Sequence, residues 1–257
     1  MIGPEEKRAR FLKMHASGCF VLPNPWDLGS LRRLERAGFA AVATTSAGLA
    51  WSLGKEDGEV TLDEVLAHLA TMCPATDLPV NADFEDGHAE DPAGVAENVR
   101  RAMATGVAGL SIEDQRGGRL HEPEVAVERL RAAREAIDGA GGGILVGRAE
   151  GMLLGTATID DTIARLVAYS RAGADCLYAP CVTDLGAVAE IVAAVAPKPV
   201  NVLLWGEAMR VADLARLGVR RVSLGGALAA SAWHGFDAAV RLLIDEGRVA
   251  PRDPSFR

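Results

Sequence analysis

The stretch PVNADFEDGHAED, residues 79–91, joins a short apolar strand to five carboxylates within nine residues. In an extended strand, successive side chains point to opposite faces. One face of this stretch is apolar and carries Val80, Ala82 and Phe84. The other face is polar and carries Asn81, Asp83 and Glu85. Since the apolar face suits a layer of helices, the polar side chains are predicted to face the axis of a closed sheet.

The same order, a β-rich run followed by an amphipathic stretch, recurs along the chain. The apolar runs are CFVLPNP, AAVATTS, PVNADFE, GVAGLSIED, GILVGRAE, ADCLYAPC, PVNVLLW and RRVSLGG. The predicted helices cover residues 28–37, 62–72, 93–104, 124–137, 161–172, 185–196, 208–217 and 229–246. Eight such units predict one (β/α)8 TIM barrel domain over residues 1–257. A doubly wound open sheet is the alternative, although no glycine-rich phosphate loop follows the first strand.

Charge and composition exclude several classes of partner. The net charge of -8, with no basic stripe, argues against nucleic acid binding. No apolar run approaches the roughly 20 residues that span a bilayer, and the charged start does not resemble a signal peptide. We therefore expect a cytoplasmic protein with no membrane partner. Four cysteines without a C-x-x-C pair indicate reduced thiols, with Cys181 left open because it ends a predicted strand.

Carboxylates crowd the predicted ends of the third and fourth strands. Asp83 and Glu85 end the third strand and Glu113 ends the fourth, where a barrel keeps its chemistry. Crowded like charges require protons or a cation. An all-oxygen set without histidine or cysteine predicts Mg2+ or Mn2+, bound partly through water. The alternative is that helix N-termini and nearby arginines neutralise these acids.

Two further strand ends carry polar groups. VGRAEG ends the fifth strand with Arg148 and Glu150, both taken to face the axis. Arg148 offers a planar fork for a substrate carboxylate, or else a salt bridge to the acidic cluster. The N–H groups of TTSAG, residues 44–48, either cradle a carboxylate or form an ordinary tight turn.

The remaining acids and the histidines divide less clearly. Glu90 and Asp91 are predicted to begin the next helix, where acids favour the dipole, while Asp86 is ambiguous. His88, His121 and His234 are candidates to reach the barrel loops without forming a site by sequence.

Taken together, these motifs resemble the isocitrate lyase/phosphoenolpyruvate mutase superfamily over nearly the whole chain. The matching stretches are PNPWDLGSLRRLERAGFAAVATTSAG, LGKED, ADFEDGHA, SIEDQ and VGRAE. The family's acidic motif reads D-x-[DE]-x-G-[YF]-G. Asp83, Glu85 and Gly87 fit this motif, whereas His88 and Ala89 replace its aromatic residue and last glycine.

The resemblance implies a TIM barrel that binds Mg2+ and a small 2-oxo acid. It implies metal-side acids at Asp83, Glu85, Glu113 and Asp57. Substrate-binding candidates are Ser46, Ala47, Arg148 and Asn201. It also implies a homo-oligomer, a dimer or commonly a tetramer, whose last helix is swapped with a neighbour. That helix, however, is equally able to close its own barrel.

One departure from the family narrows the chemistry. The lyases carry K-[KR]-C-G-H on the loop after the fourth strand, where this chain reads EDQRGGRLHEPE without cysteine. Catalytic candidates are therefore Arg148, His121 and Glu150. We expect an Mg2+-dependent lyase or decarboxylase that acts on a 2-oxo or 2-hydroxy acid through a metal-stabilised pyruvate enolate, as oxaloacetate decarboxylase does. The alternatives are a phosphonopyruvate hydrolase or mutase, and a non-catalytic barrel that binds a 2-oxo acid.

Overall fold

The eight strands of the predicted barrel are present in the computed structural model, which describes residues 2–206 and 208–249. Strands β1 to β8 span Phe20–Leu22, Val42–Ala43, Val80–Asp83, Gly109–Glu113, Ile144–Arg148, Cys176–Tyr178, Val200–Leu203 and Arg221–Ser223. They are hydrogen-bonded in the order β1-β8-β7-β6-β5-β4-β3-β2, and every pair is parallel. Across the remaining seam the Ala43 N–H donates to the Pro23 carbonyl at 3.0 Å. The sheet therefore closes as a (β/α)8 barrel, and the doubly wound alternative is wrong.

Helices cover the outside of the barrel. Within the described residues, helices α1 to α10 span Pro4–Ala16, Leu28–Arg36, Ser46–Ser52, Leu62–Met72, Pro92–Ala104, Pro123–Gly139, Ile159–Arg171, Leu185–Val195, Val211–Arg216 and Ala227–Glu246. The eight helices predicted from the sequence are all found, with ends within three residues of the predicted ones. Asp91 is the N-cap residue of α5, as predicted, because its carboxylate accepts the Gly94 N–H at 2.7 Å. None of these helices is both long and apolar enough for a membrane span.

Two helices were not predicted, α1 at the bottom of the barrel and α3 at the site. Helix α1 closes the bottom of the barrel, where Phe11 is fully buried and contacts His15 edge to face. Its charged sequence masks this role, because only a narrow stripe of the helix is buried. Helix α3 begins at Ser46, so the small polar TTSAG stretch is a strand end followed by a helix start rather than a simple turn.

The interior of the barrel changes character along its axis. Near the bottom it is apolar, with Phe11, Leu22, Ile144 and Val146 fully buried. Nearer the carboxyl ends of the strands it becomes polar, with buried Asn81, Asn201, Arg221 and Ser223. Val80, Ala82 and Phe84 pack into the outer core against the helices, as the alternation along β3 predicts. The polar half of the interior therefore opens toward the strand ends.

The last helix, α10, does not pack along its own barrel. Among its described residues only Ala229, in the first turn, is buried. Further along, Phe236 is 58% exposed and Ile244 is 75% exposed. The alternative in which α10 closes its own barrel is therefore wrong.

Candidate active site

Arg148 is the centre of a charged cluster at the carboxyl ends of β3, β4 and β5. Its Nη1 lies 2.8 Å from Asp83 Oδ1 and 2.9 Å from Glu113 Oε1. Its Nε donates to Glu150 Oε1 at 2.8 Å. The guanidinium also lies over the Tyr178 ring, 4.9 Å from its centroid. Since Glu113 and Arg148 are register neighbours across β4 and β5, the sheet itself holds the pair together.

These ion pairs decide the charge state of Arg148. Burial by itself lowers the pKa of the guanidinium, but Glu113, Glu150 and Asp83 outweigh burial and raise it well above its ordinary value. Arg148 is therefore always cationic. The salt bridge foreseen for this residue is present, and binding of a substrate carboxylate stays a prediction.

Burial changes the pKa of the two glutamates beside Arg148. Desolvation raises the pKa of Glu113 to about 8, although Arg148 opposes the shift. Desolvation likewise raises the pKa of Glu150, whose Oε2 has no hydrogen-bond partner. Gln115 donates to Glu113 Oε2 at 2.8 Å. Near neutral pH a proton is therefore available within this cluster.

Asp83 is held in place from three sides. The Ser46 N–H, at the start of α3, donates to Asp83 Oδ2 at 3.0 Å. The Asp83 N–H donates to the Thr44 hydroxyl at 2.9 Å, and Arg148 binds the other carboxylate oxygen. The first amide of α3 thus contacts the same carboxylate as Arg148. Asp83, Arg148, Ser46 and the neighbouring Ala47 all line a common cavity.

Glu85 and Asp57 complete the acidic rim. Glu85 has a left-handed backbone with φ of 45°, so its side chain leaves the line of β3, and its Oε1 is buried without a hydrogen-bond partner. Desolvation, then Asp83 and Asp57, raise the pKa of Glu85 to about 8. Burial also raises the pKa of Asp57, while a hydrogen bond from the Ser46 side chain opposes the shift. A cation at the rim would relieve this repulsion.

The rim has the donor chemistry of a site for a hard divalent cation. Asp57, Glu85 and Glu113 line one cavity of about 680 Å³, and their donors are all oxygens. Glu85 Oε1 accepts no hydrogen bond from any described residue, and His88 Nε2 lies 4.0 Å away, so this oxygen is available to a metal ion. Within the part of the chain that the structure describes, no three acidic, histidine or cysteine side chains are grouped so as to ligate one ion directly. The carboxylate oxygens of this rim are the donor type that Mg2+ and Mn2+ prefer, and water would complete their coordination.

The sequence did not decide the role of Asp86. In the structure its side chain contacts Arg129, behind the acidic rim. Its Oδ2 lies 3.4 Å from Arg129 Nη2, and Arg129 is fully buried. Arg129 also donates to the carbonyls of Asp86, Ala89 and Glu90 at 2.6, 2.8 and 2.9 Å. One arginine of α6 therefore anchors the whole loop that follows Glu85.

We expect Arg129→Met to lower the free energy of unfolding by about 3 kcal/mol, because a buried carboxylate and three carbonyls lose their donor. Urea denaturation measures this change. Arg131→Met, on the same helix, is the matched control, since the Arg131–Glu128 pair is exposed and worth under about 1 kcal/mol. Equal stability of the two variants would contradict the anchoring role.

Titration of Glu85 provides a second prediction. Its folded-state pKa of about 8 exceeds the ordinary value of 4.5, so its contribution to stability is full below about pH 4.5. That contribution is lost as pH rises through 8. In chelator, the melting temperature of Glu85→Gln should therefore fall less than that of the wild type between pH 5 and pH 9. Glu97→Gln, at an exposed glutamate, should follow the wild type. Parallel curves for wild type and Glu85→Gln would contradict the assignment.

Two residues that the sequence offered as site candidates, His121 and Asn201, do not line the 680 Å³ cavity. His121 donates its backbone N–H to the Asp114 carbonyl at 2.8 Å, and its ring nitrogen Nε2 is buried without a partner. Desolvation, together with the charge of Arg129, lowers the pKa of the His121 ring. Asn201 lies deep in the barrel, where it donates to the Ser223 hydroxyl and accepts from Arg221.

A buried network that the sequence did not reveal connects β4, β5 and α7. Asp114 Oδ2 accepts from the Tyr169 hydroxyl at 2.5 Å and from Arg165 at 3.0 Å. Its Oδ1 accepts the Glu150 N–H at 2.8 Å. Asp114 therefore fixes the turn that carries Glu150 beside Arg148. The sequence does contain one signal for this contact. Tyr169 falls on the apolar stripe of α7, where a hydroxyl needs a buried hydrogen-bond partner.

A second cavity, of about 180 Å³, lies next to the rim and reaches into the barrel. The α3 amides at Ser46 and Ala47, together with Asp83 and Arg148, line its upper part. Neither His121 nor Glu150 lines this cavity or the larger one. Arg148 and the first residues of α3 are therefore among the groups that can meet a small acid here.

Comparison with known proteins agrees with this architecture. The family model for phosphoenolpyruvate phosphomutase matches residues 11–244. Protein Rv1998c of Mycobacterium tuberculosis (strain ATCC 25618 / H37Rv) is 32% identical over 94% of this chain and 91% of its own length. An oxaloacetate decarboxylase of Bradyrhizobium sp. (strain BTAi1) is 31% identical over 79% of this chain and 72% of its own. A crystal structure from Burkholderia cenocepacia J2315, provisionally assigned as a lyase/mutase, is 43% identical with a TM-score of 0.92, covering 96% of this chain and 91% of that one. The chain therefore belongs to the phosphoenolpyruvate phosphomutase family, which confirms the superfamily resemblance of its motifs.

Proposed function

We propose that this chain is an Mg2+-dependent lyase that breaks a carbon–carbon bond in a 2-oxo or 2-hydroxy acid, with oxaloacetate decarboxylation as the favoured reaction. One observation carries the proposal. Arg148, the acidic rim and the Ser46 amide converge at one strand end, beside a loop that contains no thiol. The similarity to an oxaloacetate decarboxylase over 79% of the chain supports the same reaction.

The rim would hold the metal and Arg148 the substrate. Asp83, Glu85, Glu113 and Asp57 would bind Mg2+, largely through water. When bound, Mg2+ supplies positive charge where negative charge develops on the C2 oxygen. Arg148 and the amides of Ser46 and Ala47 would orient the carboxylate at C1.

Decarboxylation needs few proton-transferring side chains from the protein. As the C3–C4 bond breaks, its electron pair moves toward the C2 carbonyl and CO2 departs. C3 then takes a proton. Since Glu150 and His121 line neither cavity, water that enters the 680 Å³ cavity is the proposed proton source. Glu150 instead holds Arg148 in place.

The test is an assay of the purified protein with Mg2+ and a panel of 2-oxo, 2-hydroxy and phosphono acids. We expect pyruvate and CO2 from oxaloacetate at a rate above that of protein-free Mg2+ buffer. Release of phosphate from phosphonopyruvate would replace the proposal with a phosphonate reaction. Binding of these acids without turnover of any would replace it with a non-catalytic barrel.

We also infer that the chain forms a homo-oligomer through α10. The exposed apolar face of this helix, which includes Phe236 and Leu243, supports burial against a second copy. Phe236→Glu should reduce the mass measured by light scattering to that of a monomer. An unchanged oligomer mass, or a monomeric wild type, would contradict this inference.

A further inference from the structure

Arg221 is a buried cation inside the barrel with only neutral partners. It is the first residue of β8 and is 3% exposed. Its Nε donates to Asn201 Oδ1 at 2.8 Å, and its Nη1 donates to Asn81 Oδ1 at 3.4 Å. Both acceptors are amides. Within residues 2–206 and 208–249, no carboxylate forms an ion pair with Arg221, in contrast to the buried Arg129 and the half-buried Arg148 and Arg165.

That contrast is clear from the pairing of these three arginines. Arg129 pairs with Asp86, Arg165 pairs with Asp114, and Arg148 pairs with three carboxylates. A guanidinium has five N–H donors, and two of those on Arg221 are used. Burying an uncompensated charge is costly, so such a residue is expected to bind an anion.

The 180 Å³ cavity connects Arg221 to the proposed reaction centre. Its lining includes Arg221, Asn81 and Ser223 as well as Ser46, Asp83 and Arg148. Arg221 begins β8, whereas Asp83 and Arg148 end β3 and β5. The cavity volume equals roughly six waters at about 30 Å³ each, which suits a small acid rather than a nucleotide. One cavity is thus lined by two guanidiniums, those of Arg148 and Arg221.

Asn201 orients the arginine rather than facing the ligand. Its carbonyl oxygen accepts from Arg221 and its amide donates to the Ser223 hydroxyl at 2.9 Å. In β7 and β8 it is the register partner of Arg221. The substrate-binding role expected for Asn201 therefore passes to the guanidinium that it positions.

We propose that Arg221 binds a second carboxylate of the substrate, so that this barrel selects short 2-oxo or 2-hydroxy dicarboxylates over the matching monocarboxylates. This inference rests on the proposed function only in taking the same cavity as the substrate site. A bidentate guanidinium–carboxylate contact would use the donors that Arg221 leaves free.

The test is calorimetric binding in excess Mg2+ of malate and of 2-hydroxybutanoate, in which a methyl group replaces the second carboxylate. We expect the wild type to prefer malate by at least about 100-fold, because a site built for a polar group rejects an analogue without it. Arg221→Met should reduce that preference below about threefold and leave 2-hydroxybutanoate affinity unchanged. Arg220→Met, at the adjacent residue that bonds the Gly18 carbonyl on the surface, should behave as wild type.

Equal wild-type affinities for the two ligands, or no binding of either, would overturn the proposal. The wild-type comparison and Arg221→Lys keep it testable if Arg221→Met does not fold. Preference for malate without turnover of any 2-oxo acid would refute the proposed lyase and leave the dicarboxylate site standing. Turnover with no preference for dicarboxylates would refute the dicarboxylate site and leave the proposed lyase standing.

Discussion

Arg148→Met is expected to lower the free energy of unfolding by about 3–5 kcal/mol at pH 8.5, because buried carboxylates lose their counterion. Asp83, Glu113 and Glu150 all lie within 2.9 Å of the guanidinium. The loss should be smaller at pH 6, since burial raises the pKa of Glu113 to about 8 and this glutamate then carries a proton. Urea denaturation at the two pH values in chelator measures both effects.

The same substitution should also reduce turnover by at least about 100-fold, as loss of one charged oxyanion or carboxylate donor does in other enzymes. Arg148→Lys keeps the charge without the planar fork, so it should recover part of the stability and little of the activity. Arg101→Met is the matched control, because Arg101 pairs with Asp63 on the surface. A stability loss for Arg148→Met that does not depend on pH would contradict the proposed coupling with the glutamates.

Asp83→Asn is expected to abolish measurable turnover, a loss of at least about 1,000-fold, while the protein stays folded. The amide keeps the size of the side chain, but its one oxygen can accept from only one of Ser46 and Arg148, and the negative charge next to the proposed metal is lost. Calorimetric titration with Mn2+ should show weaker binding by about 10- to 100-fold.

Asp63→Asn provides the matched control for Asp83→Asn, since Asp63 is an exposed aspartate whose pairing partner is Arg101. Its Mn2+ affinity and turnover should equal those of the wild type. Full Mn2+ affinity in Asp83→Asn would remove Asp83 from the proposed metal site. Loss of turnover with intact metal binding would instead assign it to substrate positioning.

The barrel and its acidic rim could be predicted because both follow from local patterns. Strand alternation along β3 decides that Phe84 faces the helices and that Asp83 faces the axis. The strand-then-helix repeat decides that Asp83, Glu113 and Arg148 end neighbouring strands. Helix α1 escaped prediction because its buried stripe is narrow and its exposed face is highly charged.

The residues that hold the site in place make contacts with residues far away in the sequence, and no local pattern predicts such contacts. Arg129 lies 43 residues from Asp86, and Tyr169 lies 55 residues from Asp114. A signal was nevertheless present for Arg129, which falls on the buried stripe of α6 between Ala126 and Ala133. An arginine on an apolar stripe predicts a buried polar partner.

His121 was chosen for its residue type and its place on a loop, and its catalytic role stays a prediction. The hairpin after β4, formed by Gln115–Arg116 and Arg119–Leu120, turns the chain so that the His121 backbone joins Asp114 and Arg165. Which way a loop side chain points depends on such pairings, and the sequence does not contain that information. The catalytic role expected for His121 therefore has no support in this geometry.

The most direct test of the central claim is the rate of pyruvate release from oxaloacetate by the wild-type protein, with the protein-free rate subtracted at each Mg2+ concentration. We predict no enzymatic rate in chelator, a saturable rise as Mg2+ is added back, and no such rise with Asp83→Asn. A rate that survives chelation, or one that is equal in the wild type and Asp83→Asn, would contradict a metal-assisted reaction at this rim.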